Sequence, residues 1–159
     1  MGHRVLSLFT GAGGLDLGLE AAGFEPALCV ELDMQARATL KKNRPAWVLA
    51  EPGDIHALSP TQVLRQASAK PRELSLLAGG PPCQPFSKSS YWAGGDTARL
   101  KDPRAKTLNA YLNVVEATLP KVLLLENVKG LAYQGKDEGL KLLELGLQKI
   151  NKAHRTNYQ

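Results

Sequence analysis

Residues 4–23 read RVLSLFTGAGGLDLGLEAAG, and this stretch sets the class of fold. Arg4 to Phe9 is a short apolar run that stops at the cluster Gly11-Ala12-Gly13-Gly14. From Leu15 the period changes. Leu15, Leu19 and Ala22 recur at helical spacing, and Gly23 stands where the residue that ends a helix is usually glycine. A strand that turns on glycines straight into a helix is the opening unit of an α/β sheet.

The rest of the chain repeats that unit. A second strand is expected over Ala27–Leu32, closing in Glu31-Leu32-Asp33, and Asp33 is placed to N-cap a helix running to about Asn43, before Pro45. A weaker strand covers Trp47–Ala50 and leads to Gly53-Asp54-Ile55. Ser59, Pro60 and Gln62 form a helix start, with a hydroxyl cap, proline in the first turn and the amide of a capping box. Leu74–Ala78 is the fourth strand and runs into Gly79-Gly80-Pro81-Pro82-Cys83. Gln84 to Lys106 has no usable period. Helical spacing returns over Thr107–Leu119, with Leu108, Tyr111, Leu112, Val115 and Leu119 on one face. Val122–Leu125 is a fifth strand ending at Glu126-Asn127, and Leu140, Leu143, Leu147 and Ile150 mark a last helix from about Asp137 to Asn151. Five strands alternating with helices predict a doubly wound, mostly parallel sheet.

Composition narrows the classes. The 159 residues carry 20 Lys and Arg against 15 Asp and Glu, a net charge of +5 that suits an acidic partner. With 43% hydrophobic and 22% charged residues the chain is an ordinary globular domain, which excludes disordered and collagen-like proteins. No apolar run approaches the ~18 residues of a membrane span. Met1-Gly2-His3-Arg4 leads directly into a strand, without the apolar core of a secretory leader, so a cytoplasmic protein is expected. Cys29 and Cys83 make neither a disulfide framework nor a paired zinc motif, and no metal site is expected.

In an open parallel sheet ligands bind beyond the carboxyl ends of the strands. The unusual residues collect there: glycines after strand one, Glu31 after strand two, Asp54 after strand three, Cys83 after strand four, and Glu126 with Asn127 after strand five. Glycines let backbone approach a ligand closely. An acid at the end of strand two, twenty residues after Gly11, is placed to accept both hydroxyls of a ribose, and Asp54 to meet an adenine amine. Asp16 stands where a dinucleotide fingerprint needs its last glycine, which disfavours a nucleotide-dependent oxidoreductase. Prolines 81, 82 and 85 stiffen the chain around Cys83, as a turn presenting a nucleophilic thiol requires, whereas Cys29 reads as a small buried hydrophobe. His3, His56 and His154 end no core strand, so a cysteine protease lacks its base. A carboxyl at a partly buried strand end, as expected of Glu126, can donate a proton. Between Gln84 and Lys106, five basic residues stand against two acidic ones, interleaved with Phe86, Tyr91 and Trp92, a composition suited to nucleic-acid backbone and unstacked bases.

Phe9-Thr10-Gly11-Ala12-Gly13-Gly14-Leu15, Glu31-Leu32-Asp33, Gly53-Asp54-Ile55, Pro81 to Ser87 and Glu126-Asn127-Val128 resemble, in order and spacing, the motifs of the DNA cytosine-5 methyltransferases. The resemblance implies a Rossmann-like methyltransferase fold that uses S-adenosyl-L-methionine. Phe9, Gly11, Ala12, Gly13, Gly14 and Leu15 would cradle the cofactor, with Glu31 on its ribose. Leu32 and Ile55 would flank the adenine, Asp54 bond its amine, and Leu108 line the same pocket. Cys83 would attack carbon 6 of a flipped cytosine while Glu126 bonds ring nitrogen 3 and Asn127 holds the loop or base edge. Gln84 and Ser87 would belong to the part that closes on DNA. The resemblance covers residues 4 to about 130. The family's later Gln-x-Arg-x-Arg segment, target-recognition domain and final helix are absent from residues 1–159, so the chain is expected to be the N-terminal part of a catalytic domain. A C-terminal half, in the same chain or a second subunit, would complete it. A bacterial restriction–modification setting follows. The alternatives are a cofactor- or nucleic-acid-binding module without turnover, and the tRNA-modifying branch of the family.

Overall fold

The computed structural model describes residues 2–81, 103–126 and 138–159, the side chains of 103–105 and 138 excepted. Four parallel strands form one sheet: β1 (His3–Leu8), β2 (Phe24–Val30), β3 (Leu76–Gly79) and β4 (Val122–Leu125), in the order β2-β1-β3-β4. The helices are α1 (Gly14–Ala21), α2 (Met34–Asn43), α3 (Pro60–Gln66), α4 (Pro103–Thr118) and α5 (Glu138–His154).

The strands are short and apolar because both faces are covered. Along β1, Leu6 and Leu8 join the larger core, with Val63 of α3, Tyr111 and Val115 of α4 and Ile150 of α5. Val5 faces the other way and packs with Leu76 and Ala78 against Leu15 and Leu19 of α1. Burying each such large aliphatic side chain contributes ~1.5–3 kcal/mol before ordering entropy is charged against it. Glycine at 146 lets α5 close on α4, since a Cβ there would lie 2.3 Å from Leu112 Cδ1.

The local start and stop signals act as their chemistry requires. Asp33 accepts the Ala36 amide at 2.8 Å and caps α2, and Ser59 with Gln62 forms a complete capping box on α3. Gly23 takes φ 87° just after α1, a conformation that is inexpensive only for glycine.

Two expectations need correction. Trp47–Ala50 is not a strand. Leu49 makes an isolated parallel bridge to Cys29, held by Cys29 N–H to Val48 O (2.8 Å) and Ala50 N–H to Cys29 O (2.9 Å). The ladder goes no further because the Trp47 amide donates to Arg44 O (3.0 Å) on one side and the Gln66 side chain takes both the N–H and the carbonyl of Glu51 (2.8 Å each) on the other. The β2 strand also begins earlier than Ala27, at Phe24, and runs through Pro26. The register shift opposite Val5/Leu6 accommodates that proline, which has no N–H to give the ladder.

Candidate active site

From β1 the chain runs to β2 on one side and, by way of β3, to β4 on the other, so strand order reverses between β1 and β3, and a crevice opens at their carboxyl ends. There lies a cavity of about 390 Å³ lined by Ser7, Leu8, Phe9, Thr10, Leu15, Asp16, Gly80 and Glu126.

The glycine turn links its lining residues Phe9 and Thr10 to Leu15 and Asp16. Phe9 (φ 56°), Gly11 (φ 58°) and Gly13 (φ 89°) are all left-handed, so the chain reverses within five residues. A non-glycine residue held at positive φ is strained, and such strain collects at functional sites. Gly13 is the N-cap of α1 and offers no side-chain cap, which leaves first-turn amides for another acceptor. Its own position is tight, since a Cβ would meet Leu40 Cδ2 at 2.9 Å and the Trp47 ring at 3.4 Å. Glu20 steadies that floor by accepting from Trp47 Nε1 (3.2 Å) and Arg44 Nε (2.9 Å).

Glu31 follows β2 and is half-buried. Its Oε2 accepts the Gly11 amide at 2.6 Å and its Oε1 accepts the Asp33 amide at 2.7 Å. Leu32 beside it is 66% exposed, a bare apolar surface next to the acid. Asp54 is half-buried and accepts the His56 amide at 2.9 Å through one oxygen. Ile55 and Leu108 are buried in the same core cluster, and the Thr107 hydroxyl meets His56 Nε2 at 3.5 Å across the junction. The structure therefore brings Phe9, Leu15 and Glu126 to one cavity, while Gly11, Ala12, Gly13, Gly14, Glu31, Leu32, Asp54, Ile55 and Leu108 are not among its lining residues. Glu31 is tied to the glycine turn through the Gly11 amide.

Glu126 differs from expectation in one respect. It is exposed rather than partly buried, because among the described residues nothing flanks β4 on its outer side. Its amide still donates to Gly79 O at 3.0 Å, and a Cβ at Gly80 would lie 2.8 Å from its Oε2. Pro81, at the end of β3, is buried. Cys83, Gln84, Ser87 and Asn127 lie outside the described residues.

Two features, the burial of Asp16 and the contacts of Arg37, escaped the reading by motif, while Cys29 is the buried thiol expected. Asp16 is 1% exposed, and neither of its carboxylate oxygens has a hydrogen-bond partner among the described residues. Burial pushes its pKa up, offset in part by the nearby Ser7 hydroxyl, which stands outside hydrogen-bonding geometry. Cys29, wholly buried beneath the same helix, is pushed up to about 12 by burial and then by the Asp16 charge, and is an inert thiol. Arg37 of α2 is 5% exposed and bonds the backbone on both sides of the Glu31–Asp54 junction. Its only sequence signal is its position three residues before Leu40, on the face that α2 buries.

The fold and these residues define a nucleoside-cofactor protein with a ligand crevice at the switch point of a parallel sheet. The C-5 cytosine-specific DNA methylase family model matches residues 3–156, and the chain belongs to that family. It is 40% identical over 143 residues to the type II methyltransferase M.AquIA of Picosynechococcus sp., covering 90% of this chain and 55% of that protein. It is 36% identical over 148 residues to M.SacI of Streptomyces achromogenes, covering 84% of this chain and 37% of the relative. Among solved structures, a protein described as a DNA modification methyltransferase encoded within an E. coli prophage superposes with a TM-score of 0.70 at 28% identity, over 98% of this chain and 38% of that one. A mutant of Spodoptera frugiperda DNMT2 gives 0.64 at 26% identity, over 94% and 41%. The chain thus spans about half or less of the relatives it matches.

The cofactor of the family is S-adenosyl-L-methionine. The cavity fits it on chemical grounds. Among the described residues its lining holds two carboxyl groups, Asp16 and Glu126, and no basic side chain, and Asp16 is an orphaned buried acid of the kind a cationic ligand would satisfy.

Proposed function

We propose that this chain forms the cofactor-binding and nucleophile-bearing part of a DNA cytosine-5 methyltransferase, which transfers a methyl group to carbon 5 of a flipped cytosine through a transient Cys83 adduct. The observation that carries the reading is the acid-lined cavity at the carboxyl ends of β1 and β3, lined by Glu126 and by Gly80, three residues before Cys83 in the chain. Around it, Glu31 would hold the ribose hydroxyls, Asp54 the adenine amine, and Leu32, Ile55 and Leu108 the adenine faces. The first-turn amides of α1 would take the amino-acid carboxylate.

When bound, S-adenosylmethionine supplies an electrophilic methyl group. The residues of the chain make carbon 5 able to accept it. The Cys83 thiolate forms a bond to carbon 6, and the ring's electron pair moves toward carbon 5. Glu126, protonated, donates to ring nitrogen 3 and offsets the negative charge that develops there. Asn127 holds the loop or the base edge. After transfer, loss of the carbon-5 proton returns the electron pair to the ring, and Cys83 departs from carbon 6. The base must leave the duplex for this attack, with Gln84 and Ser87 on the closing side.

Base selection and full activity belong to a C-terminal half, in cis or as a second subunit. Two features support this. Val122 and Leu124 on β4 are exposed, which is a sheet face and edge asking for cover. After α5 the chain returns to the start of β4, where Tyr158 Oη donates to Pro120 O at 2.6 Å and Asn151 holds Thr156 and Tyr158. A following strand would lie parallel to β4.

The test is a duplex containing 5-fluorocytosine, incubated with cofactor and the completed enzyme. Fluorine cannot leave as a cation, so the adduct should persist and map by mass spectrometry to Cys83. An adduct at Cys29, or turnover by Cys83→Ser, would falsify the mechanism.

A further inference from the structure

We infer that Arg37 is a positioning residue for the nucleoside half of the cofactor site, its guanidinium setting the spacing between Glu31 and Asp54; this rests on the cofactor reading above. One nitrogen, Nη1, donates to Glu31 O and to Ala50 O, each at 3.0 Å. The other, Nη2, is paired with the Glu51 carboxylate. The guanidinium thus joins the residue that ends β2 to the segment that delivers Asp54. Among the described residues no other side chain bonds both segments.

Burying a guanidinium is costly unless its donors are met, and here backbone carbonyls do most of that work. Glu51, the ionic partner, has a side chain 71% exposed, whereas that of Arg37 is 6% exposed. The well-defined part of the arrangement is therefore the pair of carbonyls. Two further contacts show how closely the junction is set. The Gln66 amide brackets Glu51, accepting from its N–H and donating to its carbonyl, both at 2.8 Å. Gly53 lies so near that a Cβ would stand 2.1 Å from Glu31 O and 2.6 Å from Arg37 Nη1. Asp54 is the next residue, so a shift at this junction moves one acid relative to the other. A planar fork serves this geometry better than an ammonium on a flexible stem.

The experiment titrates S-adenosylmethionine and 5′-methylthioadenosine, which keeps adenine and ribose without the amino acid, into the complete protein by calorimetry. Wild type, Arg37→Lys, Arg37→Gln and Glu51→Gln are compared, each also in an Asp54→Ala background, with thermal melts of every variant. Arg37→Gln should weaken both ligands by the same factor, about tenfold, with partial recovery in Arg37→Lys and little change in Glu51→Gln. In the Asp54→Ala background the Arg37 effect should shrink, because the contact it positions is already gone. A folded Arg37 variant with unchanged affinities overturns the inference, as does an equal loss in both backgrounds, which would mark a purely structural residue. If Arg37→Gln does not fold, Arg37→Lys decides by the same criteria. Wild-type protein that binds neither ligand would overturn the cofactor reading itself, an outcome distinct from the failure of Arg37 alone.

Discussion

The Gly11 amide donates to Glu31 Oε2 at 2.6 Å and so ties the glycine turn after β1 to the acid after β2. With Oε1 held by the Asp33 amide at 2.7 Å, the carboxylate is fixed by backbone donors before a ligand arrives. Each oxygen keeps lone-pair capacity for one hydroxyl of a ribose diol. Preorganisation of this kind lowers the ordering cost of binding.

Removing that carboxylate should therefore weaken the cofactor complex. Glu31→Ala is expected to lose ~1–3 kcal/mol of S-adenosylmethionine binding, the range for a charged hydrogen-bonding group. Glu31→Gln should lose less, because one oxygen acceptor remains. Calorimetry on the completed enzyme reads both, and an unchanged affinity for Glu31→Ala would take the residue out of the pocket.

Gly53→Ala probes the same junction sterically. The added methyl would meet Glu31 O at 2.1 Å, and a backbone atom cannot yield as a side-chain tip can. Overpacking of this sort costs ~1–3 kcal/mol, so the variant should melt lower and bind cofactor more weakly. A wild-type melting curve would show that the 50–54 segment moves freely.

Asp16 makes a signed prediction about pH. Burial raises its pKa above the ordinary 3.8, so the folded chain holds the proton more tightly than the unfolded one. Stability without cofactor should then fall as pH rises from 3.8 to the raised folded value, and stay level above it. Asp16→Asn should lack that decline and, if the cavity holds the cofactor as proposed, bind S-adenosylmethionine more weakly, since a carboxyl group of the cavity lining is gone. Denaturant melts over about pH 4 to 8 compare the two, and parallel curves would refute the assignment.

Ser59→Ala separates stability from binding. The hydroxyl caps α3 and lines no part of the acidic cavity, so its loss should cost ~1 kcal/mol of stability and leave cofactor affinity unchanged. A change in affinity would mean that α3 reaches the site through Gln66 and the Glu51 backbone.

The sequence alone determined the elements whose causes are local. Asp33 and Ser59 cap their helices because a side-chain oxygen reaches an amide three residues on, and nothing distant is needed. Apolar runs ending in glycine or acid located the four strands, and the ordered motifs named the family and its cofactor. Tertiary structure decided what depends on neighbours remote in the chain. Trp47–Ala50 has a strand-like composition yet makes one bridge, because the backbone groups beside it are taken by Arg44 and by the distant Gln66 side chain. Glu126 ends the outermost strand among the described residues and is exposed, a matter of sheet order that no local pattern carries. Asp16 reads in sequence as a missing glycine and stands in the fold as a buried, unpartnered acid. Arg37 reads as one more charge on a polar helix. Only packing, which brings Glu31 O and Ala50 O to 3.0 Å from one nitrogen, makes it a link between the end of β2 and the segment that precedes Asp54.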